Sequence, residues 1–227
     1  NGDAFLSISK SIDFSVIQKV KHDPRSLEAL LLGQSGLLNT TSEHTYLLEL
    51  KSIYAFLKNK FTLSTTGTFP VRFFRLRPSN FPTIRLAQLA DVYSRQSNLF
   101  SKIIEARTLE QLHAIFEGST SEFWKTHYTF EKTSKPTPKT LTRPFINLLI
   151  INTIIPIKFA FNKFNRQSHI EDVIEIVQKI PMEHNSVVNR FHLLYKFRKT
   201  ALDSQALIQL KSNYCSKNKC LHCAIGS

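Results

Sequence analysis

Apolar residues recur along this chain at the three- and four-residue spacing of a helix buried on one face, and strand-like alternation is rare. Over residues 42–61, Leu50, Ile53, Tyr54, Leu57 and Phe61 share a face, and Ser42 before Glu43 predicts the N-cap. Asp23-Pro24 predicts another helix start, because proline is tolerated in a first turn whose N–H groups have no partner anyway, and residues 27–32 carry that helix toward Gly33. Thr108 with Gln111, and Ser168 with Glu171, have the spacing of capping boxes, in which each side chain satisfies the other's free amide. Beyond the second box, Ile170, Val173, Ile174 and Val177 make an apolar stripe that Pro181 ends. Residues 3–12 read as amphipathic, and further helices are expected over 82–94, 143–164, 186–196 and 203–213, with Pro156 bending or splitting the 143–164 run.

The connections have their own signature. Residues 62–70 are rich in Thr and Ser, 71–76 read as a short extended segment, and Arg77-Pro78-Ser79-Asn80 reads as a turn. Residues 133–140, with Pro136 and Pro138, are the best linker and the place where two subdomains would part, although apolar helices on both sides favour a single helical domain over 1–227. The expected fold is all-α: a multi-helix bundle with one long irregular loop and a cysteine-containing C-terminal tail.

A 42% hydrophobic content that includes 18 Phe supplies a packed core and excludes a disordered chain. The beginning lacks the basic and apolar regions of a secretory leader. The longest apolar stretch, residues 145–161, is interrupted by Asn147, Asn152, Thr153, Pro156 and Lys158, so it reads as a buried helix and no membrane partner is expected. Three cysteines gathered at one end do not make a disulfide framework, which suits a reducing cytoplasm. The chain opens on Asn1 almost inside an amphipathic segment, so a preceding portion of the protein is expected to be missing.

Charge sharpens the functional reading. The net charge is +13, yet residues 50–90 hold no acid while carrying Lys51, Lys58, Lys60, Arg72, Arg75, Arg77 and Arg85, and residues 132–170 hold only Glu-free, Asp-free sequence around Lys132, Lys135, Lys139, Arg143, Lys158, Lys163 and Arg166. Such a surface attracts polyanions, because each cation that neutralises a phosphate releases a counterion, and nucleic acid is the expected partner. The run Val71-Arg72-Phe73-Phe74-Arg75-Leu76-Arg77 interleaves guanidinium groups with aromatics, a combination that holds a backbone and stacks bases. The candidate phosphate contacts are Arg72, Arg75, Arg77 and Arg85, with Lys58, Lys60 and Arg143 at the periphery. Against this stands a structural reading. Phe73 and Phe74 belong to the core, Arg77 and Arg85 pin the loop around Pro78 and Pro82, and the domain serves structure or protein interaction. Strand-like alternation divides the arginines between two faces and favours neither.

Cys215, Cys220 and Cys223 have the spacing C-x4-C-x2-C, close enough to converge on one metal ion. Zinc would need a fourth ligand, from His222 or from His169, His184 or His192, and an iron–sulfur cluster would need a fourth cysteine that this chain lacks. Buried or free reduced thiols are the third possibility. No phosphate-binding glycine loop, zinc-protease pair or nucleophile elbow is present, so no catalytic constellation is expected in this chain. His169 with Asp172 has metal-pair spacing, but Glu171, Asp172 and Glu175 are also what a solvated helix start favours. His22, His44, His113 and His127 stand isolated along the sequence.

Several of these segments together resemble an uncharacterised bacterial family, the domain-of-unknown-function family 2851. They are residues 27–34, residues 203–211, the cysteine tail, and above all Arg77-Pro78-Ser79-Asn80-Phe81-Pro82-Thr83-Ile84-Arg85-Leu86-Ala87-Gln88-Leu89-Ala90. The resemblance implies that this chain is the C-terminal half of a family member. It also implies an absent N-terminal half similar to PD-(D/E)XK nucleases, for which the basic domain would position substrate.

Overall fold

The computed structural model describes residues 2–165 and 170–226. In chain order its helices are α1 (Gly2–Lys10), α2 (Phe14–Val20), α3 (Pro24–Gln34), α4 (Thr45–Lys60), α5 (Pro82–Arg95), α6 (Leu99–Glu105) and α7 (Leu109–Phe116). There follow α8 (Glu122–Lys125), α9 (Arg143–Leu149), α10 (Ile155–Phe164), α11 (Ile170–Lys179), α12 (Ser186–Leu194) and α13 (Ala201–Asn213). Among the described residues there is no sheet, only isolated bridges joining His127 to Thr133 and Pro181 to Thr200, so the fold is all-α as expected. The chain divides into two compact units, residues 1–99 with 115–142 and residues 100–114 with 143–227.

In the first unit α3 packs against both α4 and α5. Asp23 caps it by accepting from the Arg25 amide at 3.1 Å, Pro24 occupies the first turn, and every residue from Leu27 to Gln34 is buried. Four leucines of this helix are 0–5% exposed, each contributing about 1.5–3 kcal/mol by leaving water. Gly33 is required by the α4 contact, since a Cβ there would enter the Tyr54 ring. Tyr54 in turn donates its hydroxyl to Gln34 at 2.6 Å, and the Gln34 amide reaches the carbonyls of Ser11 and Ser64 at 3.0 and 3.2 Å.

One carboxylate is buried in this core. Glu28 Oε1 accepts from the Tyr46 hydroxyl and from the Trp124 indole N–H, both at 2.5 Å, and Ser121 Oγ lies 2.6 Å from the Tyr46 oxygen. Burial pushes the Glu28 carboxyl up, although these hydrogen bonds and Arg25 pull it down, and burial also raises the Tyr46 phenol.

The cap of α4 corrects one expectation. His44 holds the position, its Nδ1 accepting from the Tyr46 amide at 3.1 Å, while Ser42 Oγ accepts from the His44 amide just outside the helix. Residues 133–140 run against α8: the Ser134 and Thr137 amides donate to the carbonyls of Thr126 and Lys125, and Lys139 is buried with its ammonium on the Lys125 carbonyl at 2.9 Å.

In the second unit α7 begins with the expected capping box, Thr108 and Gln111 exchanging bonds at 3.2 Å in both directions. The 143–164 run is helical throughout but contains a π-turn, Ile150–Ile154, directly before Pro156. Extra-wide turns of this kind let a helix absorb a proline that breaks its regular ladder. Arg143–Phe164 is long and apolar enough to cross a membrane by length and composition alone, and 28% of its apolar window is buried. The sequence reading expected an enclosed helix. Instead one stripe is buried, Ile146, Ile150, Ile154, Lys158 and Asn162, while Leu148, Ile157, Phe159 and Phe164 face outward.

Lys158 explains the stripe's polar end. Its ammonium donates to the carbonyls of Ile103, Ile104 and Ala106 at 2.9, 2.7 and 2.7 Å, capping the end of α6 with a positive charge where the helix dipole is negative. On α11 the buried set is Val173, Ile176 and Val177, whereas Ile174, assigned to that stripe from the sequence, is 43% exposed. The Ser168 cap and the His169–Asp172 pair lie outside the described residues because Ser168 and His169 do.

Candidate nucleic-acid interface

The 71–77 segment is where the sequence left two readings open, and its backbone decides between the faces. It forms no strand. The Leu76 amide closes a turn on the Phe73 carbonyl at 3.1 Å, and Arg75 adopts a left-handed φ of 61°, uncommon for a residue with a Cβ. That turn resets the alternation. Val71 packs on the core and Phe73 meets Phe81 edge-on at 4.9 Å, while Arg72, Phe74, Arg75 and Arg77 are all exposed. Phe74 is 77% exposed, and the Arg75 guanidinium lies 5.0 Å from its ring centre.

Anchors on both sides hold the loop in place. Upstream, the Phe69 amide donates to Ser7 Oγ at 2.9 Å. Downstream, Pro78–Asn80 forms a single 3-10 turn in which the Asn80 amide donates to the Arg77 carbonyl at 2.8 Å. Arg85 braces this turn from α5. Half-buried, it donates to Asn80 Oδ1 at 2.5 Å and Gln88 Oε1 at 2.8 Å, and desolvation lowers its pKa. Through these two side-chain amides Arg85 ties α5 to the turn that follows the 71–77 loop.

Lys58 and Lys60 are exposed at the end of α4, with the Lys60 ammonium 5.4 Å from the Phe56 ring and 5.5 Å from the Phe61 ring. Phe56 and Phe69 are themselves 61% and 59% exposed. Among the described residues, Lys58, Lys60, Arg75 and Arg77 enter no ion pair. Arg143, also exposed, opens α9 in the second unit. Not every cation of the acid-free tracts faces solvent, since Lys139 and Lys158 are buried and Lys51 donates to the Thr40 carbonyl at 2.6 Å.

The cysteines lie beyond α13, with Cys215 and Cys220 exposed and Cys223 buried. Among the described residues no group of three or more His, Cys, Asp or Glu is arranged to hold a metal ion. Sequence reasoning missed the Glu28, Tyr46 and Trp124 cluster, whose one visible signal was a lone acid in the apolar run at residues 27–32. It also missed that His44 and His127 meet, ring centres 5.5 Å apart, with His127 stacked on Phe123 at 4.0 Å.

A comparison with known families matches residues 1–186 to one described as "Protein of unknown function (DUF2851)". The match takes in residues 27–34 and 77–90, and leaves residues 203–211 and the cysteine tail outside it. No curated protein and no solved structure matches the chain.

Proposed function

The chain belongs to the DUF2851 family of proteins of unknown function, and from that premise we propose that its first unit binds single-stranded nucleic acid through the 71–77 loop. Arg72, Arg75 and Arg77 take the phosphates, Phe74 offers a stacking platform for a base, and Lys58 and Lys60 extend the field. Arg85 keeps the loop in shape. On this reading the protein works in the cytoplasm.

The observation that supports the reading is the joint exposure of Phe74 and three arginines on a turn whose neighbouring apolar residues are docked. An exposed ring beside a guanidinium puts a stacking face for a base next to a cation for a phosphate. An acidic protein partner is the second reading, favoured by the exposure of Phe56 and Phe69 nearby in sequence.

Fluorescence anisotropy with single-stranded and duplex DNA and RNA over a salt series tests the proposal. Affinity should fall linearly on logarithmic axes with salt. The triple variant Arg72→Ala, Arg75→Ala, Arg77→Ala should reduce that slope by roughly 2, at about 0.7 per phosphate contact on a single strand. Phe74→Ala should weaken single-strand binding by about 1–3 kcal/mol and leave the slope alone. Affinity that ignores salt, or binding only to an acidic protein, overturns it.

A further inference from the structure

The tail after α13 folds as two successive tight turns. The first, Cys215–Lys217, ends at Asn218, whose φ of 52° reverses the chain. In the second, Cys220–His222, the Cys223 amide donates to the Cys220 carbonyl at 3.0 Å. The Gly226 amide then donates to the Cys223 carbonyl at 2.9 Å, folding the chain back so closely that a Cβ on Gly226 would stand 3.0 Å from the Cys220 oxygen and 3.4 Å from the Cys220 Cβ. A turn closed in this way keeps its first and last Cα atoms within about 7 Å. Residues three apart also eclipse one another in 3-10 geometry. A disulfide needs a Cα separation of about 4.4–6.8 Å. The turn register therefore places Cys220 and Cys223 at the two ends of one closed turn, whereas the residue that closes on Cys215 is Asn218, at 3.3 Å.

The two sulfurs are not equivalent. Cys220 is exposed and Cys223 only 8% exposed, and both are free thiols in this structure. Lys217, Lys219 and His222, with Gln209, Asn213 and Tyr214, line a shallow depression between the end of α13 and the two turns, with no cysteine in its lining. Two lysines and a histidine with no acid among the lining residues suit a disulfide that carries carboxylates.

We propose that Cys220 and Cys223 form a redox-active dithiol that is oxidised reversibly by a small anionic disulfide of the glutathione type. The Cys220 thiol gives its proton to solvent and its sulfur attacks one sulfur of the small disulfide. A mixed disulfide forms, and the first small thiolate leaves and takes up a proton. Cys223 then loses its proton and attacks Cys220 Sγ. The intramolecular bond forms as the mixed disulfide breaks and the second small thiol departs. Two protein thiols are oxidised and one small disulfide is reduced to two thiols. Burial of Cys223 suits the second role, because external thiols reach it less readily than its neighbour does.

The test uses the full chain in mixtures of oxidised and reduced glutathione, with free thiols counted by alkylation and the bridge mapped by peptide mass spectrometry. The three alkylatable thiols should fall to one, that of Cys215, and reduction should restore them. Cys215→Ser should still close the bridge, while Cys220→Ser and Cys223→Ser each abolish it. Oxidised glutathione should react faster than the cationic disulfide cystamine, with the difference shrinking as salt rises. Three thiols that stay free throughout, a bridge that includes Cys215, or purified protein in which zinc protects all three thiols would each overturn the dithiol. Equal rates with the two reagents would overturn the anionic substrate class.

Discussion

Glu28 offers the sharpest test of how the first unit is held together. It is 3% exposed, and its Oε1 is the acceptor for two buried donors, the Tyr46 hydroxyl and the Trp124 indole. Glu28→Ala leaves the Trp124 indole without a partner and the Tyr46 hydroxyl with Ser121 alone, a loss of about 1–3 kcal/mol for the indole before any cavity cost. That is a sizeable share of the roughly 5–15 kcal/mol typical of a domain's stability. Glu28→Gln keeps an acceptor oxygen in the same place and removes the charge, so it should stay within about 1 kcal/mol of the parent at neutral pH. The pH dependence follows from the raised carboxyl. Between its ordinary value of 4.5 and its higher folded value, the folded chain retains a proton that the unfolded chain has lost. The stability this group contributes is therefore full below that window and declines as pH rises through it, and that contribution is absent in Glu28→Gln, so the parent should lose ground to the variant as pH rises. Trp124, the sole tryptophan and fully buried, reports urea unfolding by its own fluorescence at each pH. The reasoning fails if Glu28→Gln is as unstable as Glu28→Ala, or if the parent gains on Glu28→Gln as pH climbs.

Lys158→Met should orphan the carbonyls of Ile103, Ile104 and Ala106 and cost about 3 kcal/mol or more, seen as lost hydrogen-exchange protection in α6 and α10. Gly33→Ala drives a methyl into the Tyr54 ring, and despite alanine's better helix propensity it should lower thermal stability by about 1–3 kcal/mol. Adding Tyr54→Ala to Gly33→Ala should relieve the clash, and no relief would place the strain elsewhere.

Local chemistry was legible in the sequence where it acts locally. Asp23-Pro24 and the Thr108 box cap helices because their partners lie within three residues. Ser42 misled because an imidazole nitrogen, two residues on, is an equally competent acceptor in that place. The face of Arg75 was not legible, since nothing local requires a left-handed backbone in a non-glycine residue. Nor was the fate of Lys158, whose carbonyl partners lie 52 to 55 residues away and turn an expected surface charge into a helix cap. Glu28 stood out in its apolar run, but Tyr46 and Trp124 are 18 and 96 residues distant. For the tail, spacing gave three neighbouring thiols, and only the turn register separates a pair from a bystander.

The inward lysines change what kind of cation a passing polymer would encounter. Lys21, Lys139 and Lys158 all turn their ammonium groups onto main-chain oxygens, while Arg72, Arg75 and Arg77 of the 71–77 loop are exposed. Ammonium is a compact, strongly hydrated charge, whereas guanidinium is a flat, weakly hydrated fork that grips a phosphodiester with two bonds at once. The external chemistry of that loop is thus more arginine-like than a tally of basic residues conveys, and it favours directional grip over diffuse attraction.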